Sequence, residues 1–461
     1  MRGVARAQVV LLHVNELADT RRLGWFVAPK LTEELQTPSS TGRPDRLSEF
    51  LQGLGPGLIT GAADDDPSGI STYSVAGASY GYATLWTALL SFPLMAAIQL
   101  MCARLGMVTG SGLASVIRLR YSRWVLWFAC ALVIVANVFN IGADLGGMAD
   151  ATEMITGVRA YFWTPLFAAL ILGLLLWTSY RTMARIFKWL TMVLFAYVAA
   201  AFLSHPNWSD VLRATFIPHI EWSRNYISVL VGILGTTISP YLFFWQAAQE
   251  VEEDRDHGKT TIAQRKGATN KELRVARRDV ITGMFLSNLV MYFLILTTGA
   301  TLNAHGQKNI ETAKQAAEAL RPLAGQGAYW LFTLGIIGTG MLAVPVLAGS
   351  CAYAIAEGAK WRDASLNLHP RLAAKFYAVI AVSILIGLAF DFVGINAVKM
   401  LFWSAILNGL LAPPLVIMVV LLTSNRKVMG NQVNSPTMKV LGWTCAIVMS
   451  AAAIALVGFS R

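Results

Sequence analysis

Two stretches of this 461-residue chain carry residues whose chemistry is out of place in their surroundings. The first, Asp64-Asp65-Asp66-Pro67-Ser68-Gly69, sets three adjacent carboxylates in an apolar run that continues from Ile70 to Trp86. Facing lipid, each would cost about 2.5–3.5 kcal/mol at the middle of a span. Successive helix residues are turned about 100° from one another, so three in a row cannot share one narrow face. Pro67 removes a backbone donor and Gly69 lets the chain leave helical geometry. These residues predict a helix broken in mid-membrane, with Asp66 beside freed carbonyls in a watery cavity, the makings of a cation site. The second stretch, Thr236-Thr237-Ile238-Ser239-Pro240-Tyr241, is another proline-interrupted apolar run, able to offer hydroxyl or carbonyl oxygens.

Elements that could position such residues follow from composition. The chain is 55% hydrophobic and 14% charged, with a mean hydropathy of +0.54, against about 25% charged residues in soluble domains. A polytopic all-α membrane protein is expected. Apolar runs place eleven spans at 54–80 (broken), 83–107, 123–150, 161–179, 183–203, 226–249 (broken), 279–302, 328–357, 372–391, 395–422 and 438–458. Residues 1–50 are polar and basic and read as a mobile cytoplasmic extension; 51–461 form the membrane transport domain. The polar stretch Glu250–Arg278 reads as a charged loop with a helix at Lys271–Arg278.

With the N-terminus inside, 29 of the 37 basic residues fall in inner segments, which also puts the C-terminus outside. A net charge of +11 is thus explained by loop anchors, and nucleic acid is excluded as a partner. The bilayer and the transported ion are the partners expected, with no obligate protein partner, and the plasma (inner) membrane is the expected location. Cys102, Cys130, Cys351 and Cys445 sit in apolar runs at no metal or disulfide spacing and read as packing residues. The spans divide as 1–5 and 6–10, two five-helix sets whose odd number inverts the second; span 11 is an addition. Matching breaks in the first member of each half point to a central transport site.

The two breaks resemble those of the NRAMP divalent-metal transporters, in particular the branch of NRAMP-related magnesium transporters. NRAMP proteins typically show Gly-Pro, then Asp-Pro-Gly-Asn, in the first span; Gly55-Pro56 and Asp66-Pro67-Ser68-Gly69 align without a gap. The sixth-span pattern Ala-x-x-Met-Pro-His falls on Thr236, Thr237, Ile238, Ser239, Pro240 and Tyr241. The resemblance covers all eleven spans and implies a LeuT-type fold, a 5+5 inverted repeat, and secondary transport by alternating access. It also implies metal ligation at Asp66, while Ser239 and Thr236 can either offer oxygen to the metal or hydrogen-bond the backbone around Pro240.

Departures from the family pattern shape the expected substrate. Gly69 stands where the family has asparagine, and Ser239 where it has the metal-binding methionine. A thioether favours softer ions, whereas an oxygen-only pocket suits Mg²⁺, which keeps several waters. Tyr241 replaces a histidine that titrates near neutrality, and Asp144-Leu145-Gly146-Gly147 keeps the aspartate of an Asp-x-x-Glu pair while losing its glutamate. Uncoupled transport of hydrated Mg²⁺, and of Mn²⁺ with less discrimination, is expected; the alternative is a proton-coupled Mn²⁺/Fe²⁺ symporter. No resident cofactor is expected.

Further residues fall on the pathway or behind the ligands. Asp64 and Asp65 can line the cavity mouth or pair with a neighbouring helix, and Thr237 is expected to bond the backbone near Pro240. Asn137, Asn140 and Asp144 share one stripe of the third span; Asn408 lies where a polar side chain can face the site, and Gln246 falls on the inner half of the sixth span, toward the inner mouth of the pathway. The acidic run from Glu250 to Asp254 reads as a solvated helix end. An enzyme is not expected. An intramembrane aspartate enzyme would need a second aspartate-rich motif at the same depth as Asp64–Asp66, and the other acidic cluster, Glu250–Asp256, falls at the membrane edge.

Overall fold

A helix inside a bilayer ends only where other groups take over its backbone hydrogen bonds, and the first span does so at Asp65. The computed structural model describes residues 55–178, 182, 192–362, 364–392, 394 and 396–459. Helix α1 (Pro56–Asp64) stops where Asp65 turns to φ −84°, ψ 52°; Asp66 is extended at φ −68°, ψ 168°, and α2 (Pro67–Tyr80) starts on the proline. The sixth span repeats the device. Helix α7 (Arg224–Thr237) ends at Ile238 (φ −121°, ψ 58°), Ser239 is extended at φ −76°, ψ 131°, and α8 (Pro240–Asp256) starts on the second proline. In each restart the missing proline N–H falls at the first helical position, where no intrahelical partner is needed.

Around these breaks stand α3 (Trp86–Thr109), α4 (Arg123–Thr156), α5 (Ala160–Trp177) and α6 (Ala196–Leu203) from the first half of the chain. The second half supplies α9 (Asn270–Thr301), α10 (Ala328–Gly358), α11 (Ala374–Asp391), α12 (Ala397–Thr423) and α13 (Pro436–Gly458). Eight described segments are long and apolar enough to cross a membrane, with Met192–Leu203 and Ala374–Phe390 as shorter apolar helices. Both α1 and α2 pack on α9, α7 packs on α12, and α8 lies between α3 and α10. Helix α4 packs on α10, α11 and α12, closing the centre. Large apolar side chains left exposed, such as Leu166, Leu170, Leu385, Ile447 and Ile454, form the outer wall; in a membrane protein that wall meets lipid.

Where residues are described, the expected spans coincide with helices, with three differences. The seventh begins at Asn270, because Thr269 and Glu272 form a capping box that carries the helix through the basic segment Lys271–Arg278. The sixth continues to Asp256, so Glu250–Asp254 are helical; Glu250 and Glu252 are buried, which corrects the reading of a solvated end. Glu252 is held by Arg255 at 2.6 Å and by Ser365 at 2.5 Å. An amphipathic helix, Trp208–Phe216, occupies what read as a connector, capped by Asn207. The extension 1–50 and the first part of the fifth span, 183–191, lie outside the described residues.

Candidate functional site

Asp66 occupies the first break as the N-cap of α2. Its Oδ1 accepts hydrogen bonds from the Gly69 amide and the Ser68 hydroxyl, both at 2.7 Å, and its Oδ2 accepts from Asn140 Nδ2 at 2.9 Å. The plain structural role of a cap is therefore real. It does not use up the carboxylate, because two oxygens offer about four lone-pair positions and three are taken. Asp66 is 2% exposed, so its charge faces protein groups rather than bulk water.

The two preceding aspartates turn to α9. Ser287 Oγ lies 2.6 Å from Asp64 Oδ2 and 3.2 Å from Asp65 Oδ1, one hydroxyl shared by two carboxylates. Asp64 Oδ1 makes no hydrogen bond. Of the two roles open to this pair, pairing with a neighbouring helix is the one observed. Asp144, on α4, is fully buried within electrostatic range of Asp66 and faces the Ser68 amide. Asp64, Asp65, Asp66 and Asp144 thus gather around one break, and among the described residues none forms an ion pair with lysine or arginine. Buried charge of one sign is costly unless something positive joins it.

At the second break the hydroxyls serve the backbone first. Ser239 Oγ donates toward the carbonyls of Thr236 (2.6 Å) and Gly235 (2.9 Å), and Thr237 Oγ1 toward that of Ile233 (2.8 Å). Thr236 Oγ1 lies 3.0 Å from the Tyr73 hydroxyl and 3.0 Å from the Ile233 carbonyl. A hydroxyl that gives its proton to a carbonyl keeps its lone pairs, so Ser239 and Thr236 still present oxygen. Tyr241 Oη donates to the Ala63 carbonyl at 2.8 Å, tying the start of α8 to the end of α1. Gly69 serves through its amide, and Pro67 and Pro240 start the two outgoing half-helices.

The polar stripe of α4 divides in function. Asn140 reaches Asp66, whereas Asn137 Nδ2 turns to the Leu347 carbonyl of α10 at 2.9 Å. Gln246 stands apart from Asp66; it accepts from Thr60 at 2.6 Å and donates to Glu250 at 2.9 Å. Asn408, on α12, is buried with its whole amide unpartnered. Three contributors escape a sequence reading: Tyr73, Ser287 and Asp279. Asp279 and Ser287 lie eight residues apart on one face of α9 with Gly283 between, and that four-residue spacing of polar and small residues is the signal that could have found them.

Among the described residues no three His, Cys, Asp or Glu side chains converge in a metal-binding group. The arrangement suits a cation held by one or two carboxylates, carbonyls and water, the habit of hard divalent ions. Asn140 holds such a carboxylate in place from behind. Asn140→Leu is expected to weaken divalent-cation binding about 10- to 100-fold, the usual effect of losing an outer partner of a ligand. Titration calorimetry of the purified, monodisperse variant with Mn²⁺ checks this, and unchanged affinity would remove Asn140 from the site.

Comparison with known proteins bears on this geometry. A family model described as natural resistance-associated macrophage protein-like (Nramp) matches residues 57–458. The divalent metal cation transporter MntH of Caldanaerobacter subterraneus subsp. tengcongensis is 26% identical over 410 residues, covering 86% of this chain and 90% of that protein. MntH of Deinococcus radiodurans is 28% identical over 425 residues, covering 90% and 91%. Among solved structures, the Eremococcus coleocola manganese transporter, in complex with an aromatic bis-isothiourea substituted compound, superposes with a TM-score of 0.72. It is 19% identical, with 94% of this chain and 91% of that one covered. The nucleobase-cation-symport-1 family transporter Mhp1, in a closed conformation, gives a TM-score of 0.52 at 15% identity, with 87% and 92% covered. These likenesses show the fold, the LeuT-type helical arrangement that the resemblance implied.

Proposed function

The chain belongs to the natural resistance-associated macrophage protein-like (Nramp) family, and on that premise we propose that it carries divalent metal cations across the membrane by alternating access around Asp66. It is an integral multi-pass membrane transporter rather than an enzyme. The observation that carries the reading is the meeting, at the break between α1 and α2, of the partly free carboxylate of Asp66 with Asn140 and the buried Asp144. The half-helices α1, α2, α7 and α8 give alternating access its moving parts. The basic-residue bias supports a cytoplasmic N-terminus and a C-terminus on the outer side.

Mn²⁺ is the substrate this reading favours. The relatives are divalent metal cation transporters by name and the structural neighbour is a manganese transporter, and Mn²⁺ accepts carboxylate, carbonyl and water oxygens. Proton symport accompanies it, with Asp144 the buried carboxylate placed to carry the proton. The Mg²⁺ specificity and uncoupled transport expected from the sequence draw no support from the relatives. Mg²⁺ is kept as a second reading on one observation: Ser239 and Thr236 offer hydroxyl oxygen at the second break, and such a site has no soft ligand with which to reject a hard ion.

Proteoliposome uptake with an internal pH dye separates these readings. Mn²⁺ uptake with acidification of the lumen is the expected result. Mg²⁺ uptake at a similar rate without acidification would replace the first reading by the second. Absence of flux for either ion in a folded, reconstituted protein would overturn divalent-metal transport itself.

A further inference from the structure

Helix α1 is only nine residues long, and its N-cap residue, Gly55, has no side chain with which to close its first turn. The cap comes from another helix. Asp279 of α9 accepts hydrogen bonds from three α1 amides: Oδ1 from Gly55 at 2.9 Å and Leu58 at 3.1 Å, and Oδ2 from Gly57 at 2.6 Å. A carboxylate there also meets the positive end of the α1 dipole. One helical turn further, Gly283 lies against α1 so closely that a Cβ on Gly61 would sit 2.3 Å from the Gly283 carbonyl oxygen. Another turn on, Ser287 holds Asp64 and Asp65 at the far end of α1. Asp279, Gly283 and Ser287 recur every four residues and form one stripe, so α1 rides on a single face of α9 from its first amide to its last carboxylate. A cavity of about 560 Å³ borders the Asp279 end, lined by Gly55, Pro56, Glu250, Glu253 and Asp279 among others.

We propose that this stripe is the latch of the gate on the α1 side: the gate opens when α1 parts from α9, and Asp279 is the positioning residue that sets how often it does. The proposal rests on the alternating-access reading and adds its moving contact. Parting at the Asp279 end exposes three amides beside a cavity in which water can replace the carboxylate. Parting at the Ser287 end frees the hydroxyl that Asp64 and Asp65 share, so events at the break and events at the gate are joined through nine residues of helix.

Hydrogen–deuterium exchange on the full chain in nanodiscs, without added metal, tests it. In Asp279→Asn the peptide covering 55–64 is expected to exchange about tenfold faster or more, as loss of a charge-assisted hydrogen bond implies, while α4 and α10 peptides stay unchanged. Loss of a cap alone would quicken only the first turn. A latch quickens exchange through to Asp64 and speeds thiol labelling of Thr60→Cys, a position that is fully buried against Gln246. Unchanged exchange and labelling in folded Asp279→Asn would overturn the proposal, as would acceleration confined to the first turn. Should that variant fail to fold, Ser287→Ala loosens the other end of α1; the same readouts are expected to rise there, and no rise overturns the latch. Neither readout needs flux, so a protein that carried no metal would still answer the question.

Discussion

Asp66→Ala is expected to abolish cation uptake, with flux in proteoliposomes falling to that of protein-free vesicles, while the purified variant remains folded. Alanine removes two things at once, the carboxylate of the break and the N-cap of α2. Losing a cap costs about 1 kcal/mol, too little to unfold a protein of this size. Asp66→Asn separates the two roles. Asparagine caps as well as aspartate, so the Gly69 amide and the Ser68 hydroxyl keep an acceptor, but the charge facing Asn140 is gone. Both variants should be inactive, with Asp66→Asn the closer to wild-type thermal stability. Normal uptake by Asp66→Asn would mean that the carboxylate is a cap and nothing more.

Gly283→Val should be nearly as damaging for a different reason. A Cβ at Gly283 would stand 2.2 Å from the Gly57 carbonyl oxygen and 3.1 Å from the Leu58 Cα. These are backbone atoms and cannot rotate away, so α1 must shift bodily. Overpacking of this kind typically costs about 1–3 kcal/mol, and the shift also pulls the α1 amides off Asp279 and the aspartates off Ser287. A lowered thermal midpoint together with at least a tenfold loss of uptake is expected. Wild-type values for both would show that α1 and α9 are looser than their contact implies.

The helical spans and both breaks were legible because apolar length and proline position act locally. Asp66 could be singled out because a carboxylate before Pro67 has few other uses inside a span. What its neighbours do was not legible. Nothing in Asp64-Asp65-Asp66 says that Asp64 and Asp65 share Ser287, since that depends on how α1 lies against a helix more than 200 residues later. Burial of Glu250 and Glu252 was hidden for the same reason: a charged run looks solvated until the partners that cover it, here Gln246, Ser365 and Arg255, are placed in space. The polar stripe of α4 was visible, but only its packing against α2 and α10 shows Asn140 serving Asp66 while Asn137 serves the α10 backbone.

In the proposed transport cycle, the four acidic side chains around the first break are also expected to set the tempo. A carrier that has delivered its load must reset, and here the reset is made by an acidic centre with which no lysine or arginine among the described residues pairs. In the proposed cycle that leg carries the acidic centre without its cation, whereas on the loaded leg the metal offsets part of that charge. Resetting is then expected to be the slow leg. Counterflow of one metal ion against another, which never requires the bare centre to travel, will outrun net accumulation.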